Sequence, residues 1–182
     1  MRFDRDGMLA LLRQARDTGA TDLHLKVPGR PSMRVDGELV SVAGDRLTPA
    51  DTRKAVQALM ALASLEFPLV GLTEHEFAFG VRGVGRFRTC VFRQRGSLSV
   101  VVHRMATEVP SLASLGLPEV QVPLRGMTLV AGSRRRELMA ALVDHQNGHR
   151  PGHIVLIEES LEYLHRDRRA SISQREVGID TE

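Results

Sequence analysis

The sequence predicts an α+β domain followed by a short α/β domain. Between residues 1 and 105, two amphipathic helical segments are interspersed with segments that alternate apolar and polar residues, as half-buried strands do. From residue 125, an apolar strand, an amphipathic helix and a second apolar strand follow in the order of a parallel βαβ unit. Residues 106–124, which show little periodicity, are predicted to form a linker with one short helix near Leu112–Leu115.

The first half of the α+β domain contains clear start and stop signals. A helix around Met8–Ala15 is expected to end at Gly19, and Asp22–Val27 alternates as a strand does. Asp36-Gly37 is a strong hairpin signal. Thr48, followed by proline and an acidic residue, predicts the N-terminus of a second helix.

Three strands complete this domain, at 77–81, 86–91 and 98–103. In the middle strand Arg86, Arg88 and Cys90 share one face, while Phe87, Thr89 and Val91 share the other. The prediction is a curved antiparallel sheet with helices on one side. The two arginines form either an anion-facing pair or a solvated strand face.

The α/β domain is predicted over residues 125–182. Met127–Ala131 has the composition of a buried parallel strand, and a helix follows the turn at Gly132-Ser133. After a loop at Asn147–Gly152, Ile154–Ile157 forms the second strand. Residues 161–165 and 170–176 have the pattern of a polar hairpin.

Composition excludes several classes of protein. No stretch approaches the roughly 20 apolar residues that span a bilayer, and the charged N-terminus lacks the apolar region of a secretion signal. Cys90 is the only cysteine, so an internal disulfide is excluded and a reducing cytosol is indicated; a small packed side chain is a better interpretation than a nucleophile.

The seven histidines lack metal-ligand spacing and are interpreted as surface or linker residues, so no metal site is predicted. Interspersed charges and a scarcity of aromatic residues disfavour nucleic acid as a partner.

A phosphate-binding loop is expected in the turn between the first strand and its helix, but the sequence there departs from the motif. G-x-x-x-x-G-K-[ST] starting at Gly132 would require glycine, lysine and a hydroxyl where Glu137, Leu138 and Met139 stand. Ser133 and the following arginines 134–136 are instead either a substitute anion site or a solvated loop. Glu158 and Glu159 end the second strand, where a carboxylate could orient a water or a magnesium ion, or simply be a polar strand end.

Motifs distributed over nearly all of the chain together resemble the PilT-type type IV pilus retraction ATPases of the secretion ATPase superfamily. They are Ala20–His24, Arg34–Gly37, Gly85–Arg88, Gln94–Gly96, Pro110–Pro118, Arg125–Gly132, Gly152–Glu159, Glu162–His165 and Gln174–Thr181. The resemblance implies a PAS-like domain over 1–105 and the start of a RecA-like, P-loop NTPase-type core over 125–182. It also implies a cytoplasmic hexamer that binds ATP and magnesium and docks beneath an inner-membrane platform protein.

The resemblance also assigns roles to individual residues. Glu158 falls on the catalytic glutamate that activates water, and Arg104 on an arginine at the domain junction. Arg86 and Arg88 match arginines that approach the nucleotide of a neighbouring subunit. With Gly132, Ser133, Arg135 and Arg136 they complete the predicted nucleotide-binding set.

The departures from the family determine the functional hypothesis. In the family register the loop is shorter by roughly three residues, and Arg135 takes the place of the lysine and Arg136 that of the serine. A planar guanidinium is a poor substitute for a compact ammonium. The sequence also stops before the family's Walker B segment, which leaves an expected sheet edge for a partner to cover.

We therefore expect a non-hydrolysing pseudo-ATPase of the type IV pilus and twitching motility machinery, with no cofactor of its own. Such a protein would bind pilus or type II secretion motor ATPases, as a homo- or hetero-oligomer, in the cytoplasm or against the inner membrane. The alternatives are a residual ATP-binding retraction motor that uses the arginines for phosphate, and a decayed gene product with no role.

Overall fold

The computed structural model describes residues 2–106, 108–120, 122–123, 125–178 and 180–182. Thr107, Gln121 and Leu124, which fall in the predicted linker, lie outside the described residues. The chain divides into two compact units, Met1–Met105 and Ala106–Glu182. No helix in the described part of the chain is long and apolar enough to cross a membrane.

The first unit contains an antiparallel sheet of six strands among its described residues, in the order β3-β2-β1-β6-β5-β4. Two helices accompany it, and the predicted α+β arrangement is present. The elements are α1 (Arg5–Asp17), β1 (Asp22–Leu25), β2 (Ser32–Val35), β3 (Glu38–Ser41), α2 (Pro49–Ala63), β4 (Glu74–Val81), β5 (Gly85–Gln94) and β6 (Ser97–Arg104).

Local sequence explains where these elements begin and turn. Asp4 caps α1 by accepting a hydrogen bond from the Gly7 amide. Thr48 and Asp51 form a capping box at α2. The turn between β2 and β3 has a φ of 50° at Asp36 and 87° at the following glycine, a combination that favours the Asp-Gly pair.

The two faces of this sheet differ as the alternation in β5 predicts. Phe87, Thr89 and Val91 are buried and lie on the face that contributes to the core. Phe79 packs against Phe87 with ring centroids 5.6 Å apart. Arg86, Arg88 and Cys90 lie on the opposite, more open face.

The second unit is built around one long helix and two parallel strands. A 3-10 turn at Ala113–Leu115 lies close to the predicted short helix, and α3 spans Arg135–His149. The strands β7 (Gly152–Glu158) and β8 (Ala170–Glu176) pair in parallel. Asn147, predicted to lie in a loop, is in α3 and is fully buried.

The predicted hairpin of residues 161–165 and 170–176 is wrong. β8 pairs with β7 instead, and 161–165 is irregular. The side chain of Gln174 forms two hydrogen bonds with residues 161–165. Its Nε2 donates to the Tyr163 carbonyl at 2.9 Å, and its Oε1 accepts from the His165 amide at 2.8 Å. A side chain therefore satisfies backbone groups that a hairpin ladder would otherwise pair.

The predicted strand at Met127–Ala131 is also wrong. These residues are not a strand, and Met127 and Leu129 are 91% and 86% exposed. An apolar run forms a buried strand only where neighbouring strands and helices cover it. In the described residues the sheet of this unit consists of β7 and β8 alone, and residues 127–131 pair with neither strand.

Candidate functional site

The start of α3 is where the sequence places the altered phosphate loop. Gly132 has a φ of 130°, which favours glycine, and Ser133 lies in the exposed turn that follows. Arg134 is the N-cap residue but makes no side-chain capping bond. Arg135 and Arg136 therefore belong to the first helical turn rather than to a solvated loop, although both remain exposed.

The arginines at this helix start differ in their partners. Arg136 forms an ion pair with Glu162, a residue that follows β7. Arg134 Nε lies 3.8 Å from Glu137 Oε1, one turn into the helix. Arg135 forms no ion pair with any residue that the structure describes. Charge at the start of α3 is thus compensated largely by carboxylates of the same chain.

Glu158 lies at the C-terminal end of β7, facing the same region. It lines a cavity of about 280 Å³ together with Arg135, Arg136, Glu162 and Tyr163. Burial, together with the charges of Glu162 and of Glu176 on the paired strand, raises the pKa of the Glu158 carboxyl. Its backbone carbonyl accepts a hydrogen bond from the Val177 amide at 2.9 Å. The structure therefore brings Glu158, Arg135 and Arg136 to one cavity.

The residues present fit a magnesium triphosphate poorly. A phosphate loop brings backbone amides close to the ligand and supplies one compact lysine charge. Here Glu137 places a carboxylate in the first turn of α3, and Glu162 already pairs with Arg136. A Cβ added at Gly132 would meet no atom within 4 Å, so that glycine is not kept by close packing of the loop.

The predicted arginine pair of the first unit lies on the open face of β5. Arg86 is opposite Gly80 of β4, and Arg88 is opposite Ala78, so the neighbours on that strand are small; on the other side, Arg88 is opposite His103 of β6. Neither arginine forms an ion pair within the described ranges, and the Nε of Arg86 is buried there without a hydrogen-bond partner. This face therefore carries two guanidinium groups that form no close ion pair among the described residues, although Glu74 and Glu76 of β4 lie on the same face.

Arg104 is separated from that pair by the sheet itself. It is the register partner of Phe87, so it lies on the core-facing side at the end of β6. Its Nε donates to the Ala20 carbonyl at 2.8 Å. In this unit Arg104 ties the end of β6 to the chain that enters β1.

Cys90 is half-buried and has none of the features of a nucleophile. Its thiol donates to Glu74 Oε1 at 3.3 Å, and the carboxylate of Glu76 is also near. Burial and these two acidic groups raise the pKa of the Cys90 thiol to about 12. The thiolate that nucleophilic chemistry requires is therefore disfavoured at neutral pH.

Two pairs of side chains from distant parts of the sequence were not predicted. His103, interpreted as a surface or linker residue, is partly exposed, and its Nδ1 lies 2.9 Å from Asp22 Oδ1 across the β1–β6 ladder. The Arg136–Glu162 pair joins residues far apart in the sequence and was likewise not predicted. The alternation of residues along one strand does not specify how that strand pairs with another. The His103–Asp22 pair could therefore be predicted only if the register of β1 and β6 were known.

Comparisons with known proteins agree with this architecture. The chain is 34% identical over 179 residues to the type IV pilus ATPase PilU of Pseudomonas aeruginosa, covering 94% of this chain and 47% of the relative. It is 33% identical over 182 residues to the retraction ATPase PilT of the same organism, covering 94% and 52%. The crystal structure of the pilus retraction motor PilT with bound ADP matches with a TM-score of 0.76 and 32% identity, covering 95% and 52%. No family model matches the chain.

The fold and these similarities define a homologue of the secretion ATPases, with an N-terminal domain joined to a RecA-like region. Within that class the chain belongs with the PilT-type ATPases of type IV pili and twitching motility. It spans about half the length of the curated relatives it matches.

Proposed function

We propose that this chain is a PilT-like component of type IV pilus machinery that does not hydrolyse ATP by itself and acts by binding other proteins. The Arg136–Glu162 ion pair is the observation that carries the proposal. The family register places Arg136 in the phosphate loop, and the carboxylate of Glu162 already binds the guanidinium of that residue. A triphosphate would have to displace that carboxylate and tolerate the nearby acidic side chains of Glu137 and Glu158.

In this proposal Glu158 is a vestigial catalytic residue. Burial and the charges of Glu162 and Glu176 raise the pKa of Glu158, which makes its carboxylate a stronger base than an exposed glutamate. Activation of water contributes little, however, unless a phosphoryl group is held in line with it. The degenerate Walker A segment at 132–137 supplies no lysine to hold one.

The first unit is assigned the binding role. Its fold, which we propose to be PAS-like, leaves Arg86 and Arg88 without carboxylate partners among the described residues. We assign these two arginines to contact the nucleotide of an adjoining motor subunit, and Arg104 to the domain junction. The partners are motor ATPases of pili or type II secretion, in the cytoplasm or beneath an inner-membrane platform protein, and no nucleic acid is involved.

A residual ATP-binding motor is the second candidate. One observation favours it: Arg135 lies at the same cavity as Glu158 and is unpaired among the described residues. In that case Gly132, Ser133, Arg135 and Arg136 would bind phosphate. The Glu162→Gln variant, which releases Arg136, would then bind ATP more tightly than the unaltered chain.

Two measurements test the proposal. Isothermal titration with ATP and magnesium is expected to give a Kd weaker than about 100 μM, or roughly −5.5 kcal/mol; tighter binding would favour the second candidate. Size-exclusion chromatography with a full-length PilT-type ATPase is expected to give a mixed complex with an altered rate of ATP hydrolysis.

A matched pair of variants gives the association experiment its control. Arg86→Gln combined with Arg88→Gln should weaken the effect on the partner's hydrolysis. Arg13→Gln combined with Arg82→Gln removes the same charge from exposed positions of the same unit and should leave the effect unchanged. No complex and no change in the partner's rate would refute the binding role.

A further inference from the structure

Two loops of the first unit enclose a second positively charged region, distinct from the Arg86–Arg88 face. They lie between β1 and β2 and between β3 and α2. A cavity of about 430 Å³ opens between them, which we call the basic cavity. It is lined by Lys26, Pro28, Gly29, Arg30, Ser41 and Arg46.

Backbone hydrogen bonds hold the two loops together. The Val42 amide donates to the Pro31 carbonyl, and the Leu47 amide donates to the Gly29 carbonyl, each at 2.8 Å. Pro31, Val42 and Leu47 are buried, so their side chains anchor both loops in the unit. The walls of the basic cavity are therefore held in place before any ligand arrives, which lowers the entropic cost of binding.

The charge of the basic cavity is uncompensated. Lys26, Arg30 and Arg46 are exposed, and none of the three forms an ion pair with another residue that the structure describes. Asp45, the neighbour of Arg46 in the sequence, pairs with none of them there. The cationic side chains at the basic cavity include Lys26, one of only two lysines in the chain.

We propose that the basic cavity binds a phosphate group, carried either by a lipid headgroup or by a soluble phosphate compound. Two guanidinium groups provide planar pairs of donors that match phosphate oxygens, and the Lys26 ammonium adds a compact charge. The hydroxyl of Ser41 is a further donor in the wall. The three cations exceed the charge of a phosphate with one or two negative charges, so such a group could bind without any carboxylate having to move.

The site is separate from the nucleotide-related residues already assigned. Its residues come from the ends of β1 and β3 and from the loops beyond them, whereas Arg86 and Arg88 lie within β5. The inference therefore does not rest on the proposed motor-binding function. It would hold for a chain that binds ATP as much as for one that does not.

The test uses the full chain and two probes. Inorganic pyrophosphate is titrated calorimetrically, and sedimentation measures binding to phosphatidylcholine vesicles with and without phosphatidylglycerol. Arg30→Gln combined with Arg46→Gln is expected to weaken whichever binding is observed by about tenfold or more, because each charge-assisted bond is strong. Arg13→Gln combined with Arg82→Gln is the control of equal charge and is expected to change it less than about twofold.

The two probes distinguish the sources. Binding to phosphatidylglycerol vesicles alone identifies a lipid headgroup, and binding to pyrophosphate in solution identifies a soluble phosphate. The proposal is overturned if neither probe binds at about 50 mM salt, where screening is modest. Equal loss in both double variants also overturns it, since net charge rather than the cavity would then be responsible. Thermal melts of both variants establish that each is folded.

Discussion

The guanidinium of Arg136, in the first turn of α3, is paired with the carboxylate of Glu162, which follows β7 in the chain. The pair joins the start of the helix to the irregular segment between the two parallel strands. The Arg136 side chain is 53% exposed and that of Glu162 is 22% exposed. Water and salt therefore screen the attraction, and its contribution to stability is modest.

The first prediction concerns the strength of this pair. Arg136→Gln and Glu162→Gln, measured singly and together by urea unfolding, should give a coupling energy of about 0.2–1 kcal/mol at low salt. The coupling should shrink at about 1 M salt, where the Debye length is roughly 3 Å.

Arg135 provides the control for this cycle because it lies at the same cavity without an ion pair among the described residues. Arg135→Gln with Glu162→Gln should couple weakly, by less than about 0.2 kcal/mol. If both arginines couple equally to Glu162, the specific pairing with Arg136 is wrong.

Glu158→Gln is predicted to stabilise the second unit at neutral pH. The folded-state pKa of Glu158 is raised above its ordinary value of 4.5 by burial and then by the charges of Glu162 and Glu176. The folded chain therefore holds this proton more tightly than the unfolded chain, and stability falls as pH rises from 4.5 through the folded-state pKa. Glutamine removes that cost.

Thermal melts between pH 4 and pH 8 check this prediction. The gain should be below about 1 kcal/mol at pH 7, because the side chain is only half-buried, and it should vanish at pH 4. Glu159→Gln removes the same charge from the next residue, which is exposed, and should give a smaller gain. An unchanged midpoint in Glu158→Gln at every pH would contradict the assigned environment.

The strands and helices of the first unit were predictable because their signals are local. The alternation in β5, the Asp36-Gly37 turn and the Thr48 cap each depend on residues within a few positions of one another. The order of the six strands was not predicted, since it depends on pairings between distant segments.

The second unit shows where local patterns fail. Residues 127–131 have the composition of a buried strand, but composition does not provide the neighbouring strands that bury one. Residues 170–176 alternate as a hairpin strand does, but alternation is the same whether the partner is parallel or antiparallel. Only part of the candidate site can be predicted from sequence. Glu158 and Arg136 are predicted from motif positions, whereas the ion pair between Arg136 and Glu162 depends on the fold.

Asp22→Asn is predicted to destabilise the first unit by about 1 kcal/mol at neutral pH, the typical net contribution of a hydrogen bond. Asp22 accepts from Thr21 at 2.8 Å and lies 2.9 Å from His103 Nδ1. Burial opposes ionisation, but the bonds from His103 and Thr21 outweigh it and lower the pKa of Asp22 below its ordinary value of 3.8. The stabilisation is therefore present above pH 3.8 and is lost as pH falls through the folded-state pKa.

Urea unfolding at pH 7 and at pH 3 measures both parts of this prediction. Asp36→Asn is the control, because Asp36 adopts a φ of 50° that asparagine also tolerates. It should change stability by less than about 0.5 kcal/mol. A loss in Asp22→Asn that is the same at both pH values would show that the charge of Asp22 is not responsible.

Substitution of Asn147 is predicted to have the largest effect in the second unit. The residue is fully buried, and both the nitrogen and the oxygen of its side-chain amide form hydrogen bonds. Its Nδ2 donates to the Arg166 carbonyl at 2.7 Å, and its Oδ1 accepts from the Arg168 amide at 3.2 Å. Asn147→Ala leaves two backbone groups without these partners and opens a small cavity. We expect a loss of about 2–4 kcal/mol, since an unsatisfied buried polar group costs about 1–3 kcal/mol.

The segment that loses protection from hydrogen exchange distinguishes the bonding of residues 166–168 by Asn147 from a general effect on α3. Hydrogen exchange in Asn147→Ala should accelerate in residues 166–172, which the amide holds against α3, while α1 and α2 of the first unit keep their protection. Gln146→Ala, the adjacent and less buried amide, should cost less than about 1 kcal/mol. Uniform acceleration through α3 in both variants would mean that the two amides serve helix stability alone. Selective acceleration at 166–172 would show that Asn147 fixes the crossover by which β8 returns parallel to β7.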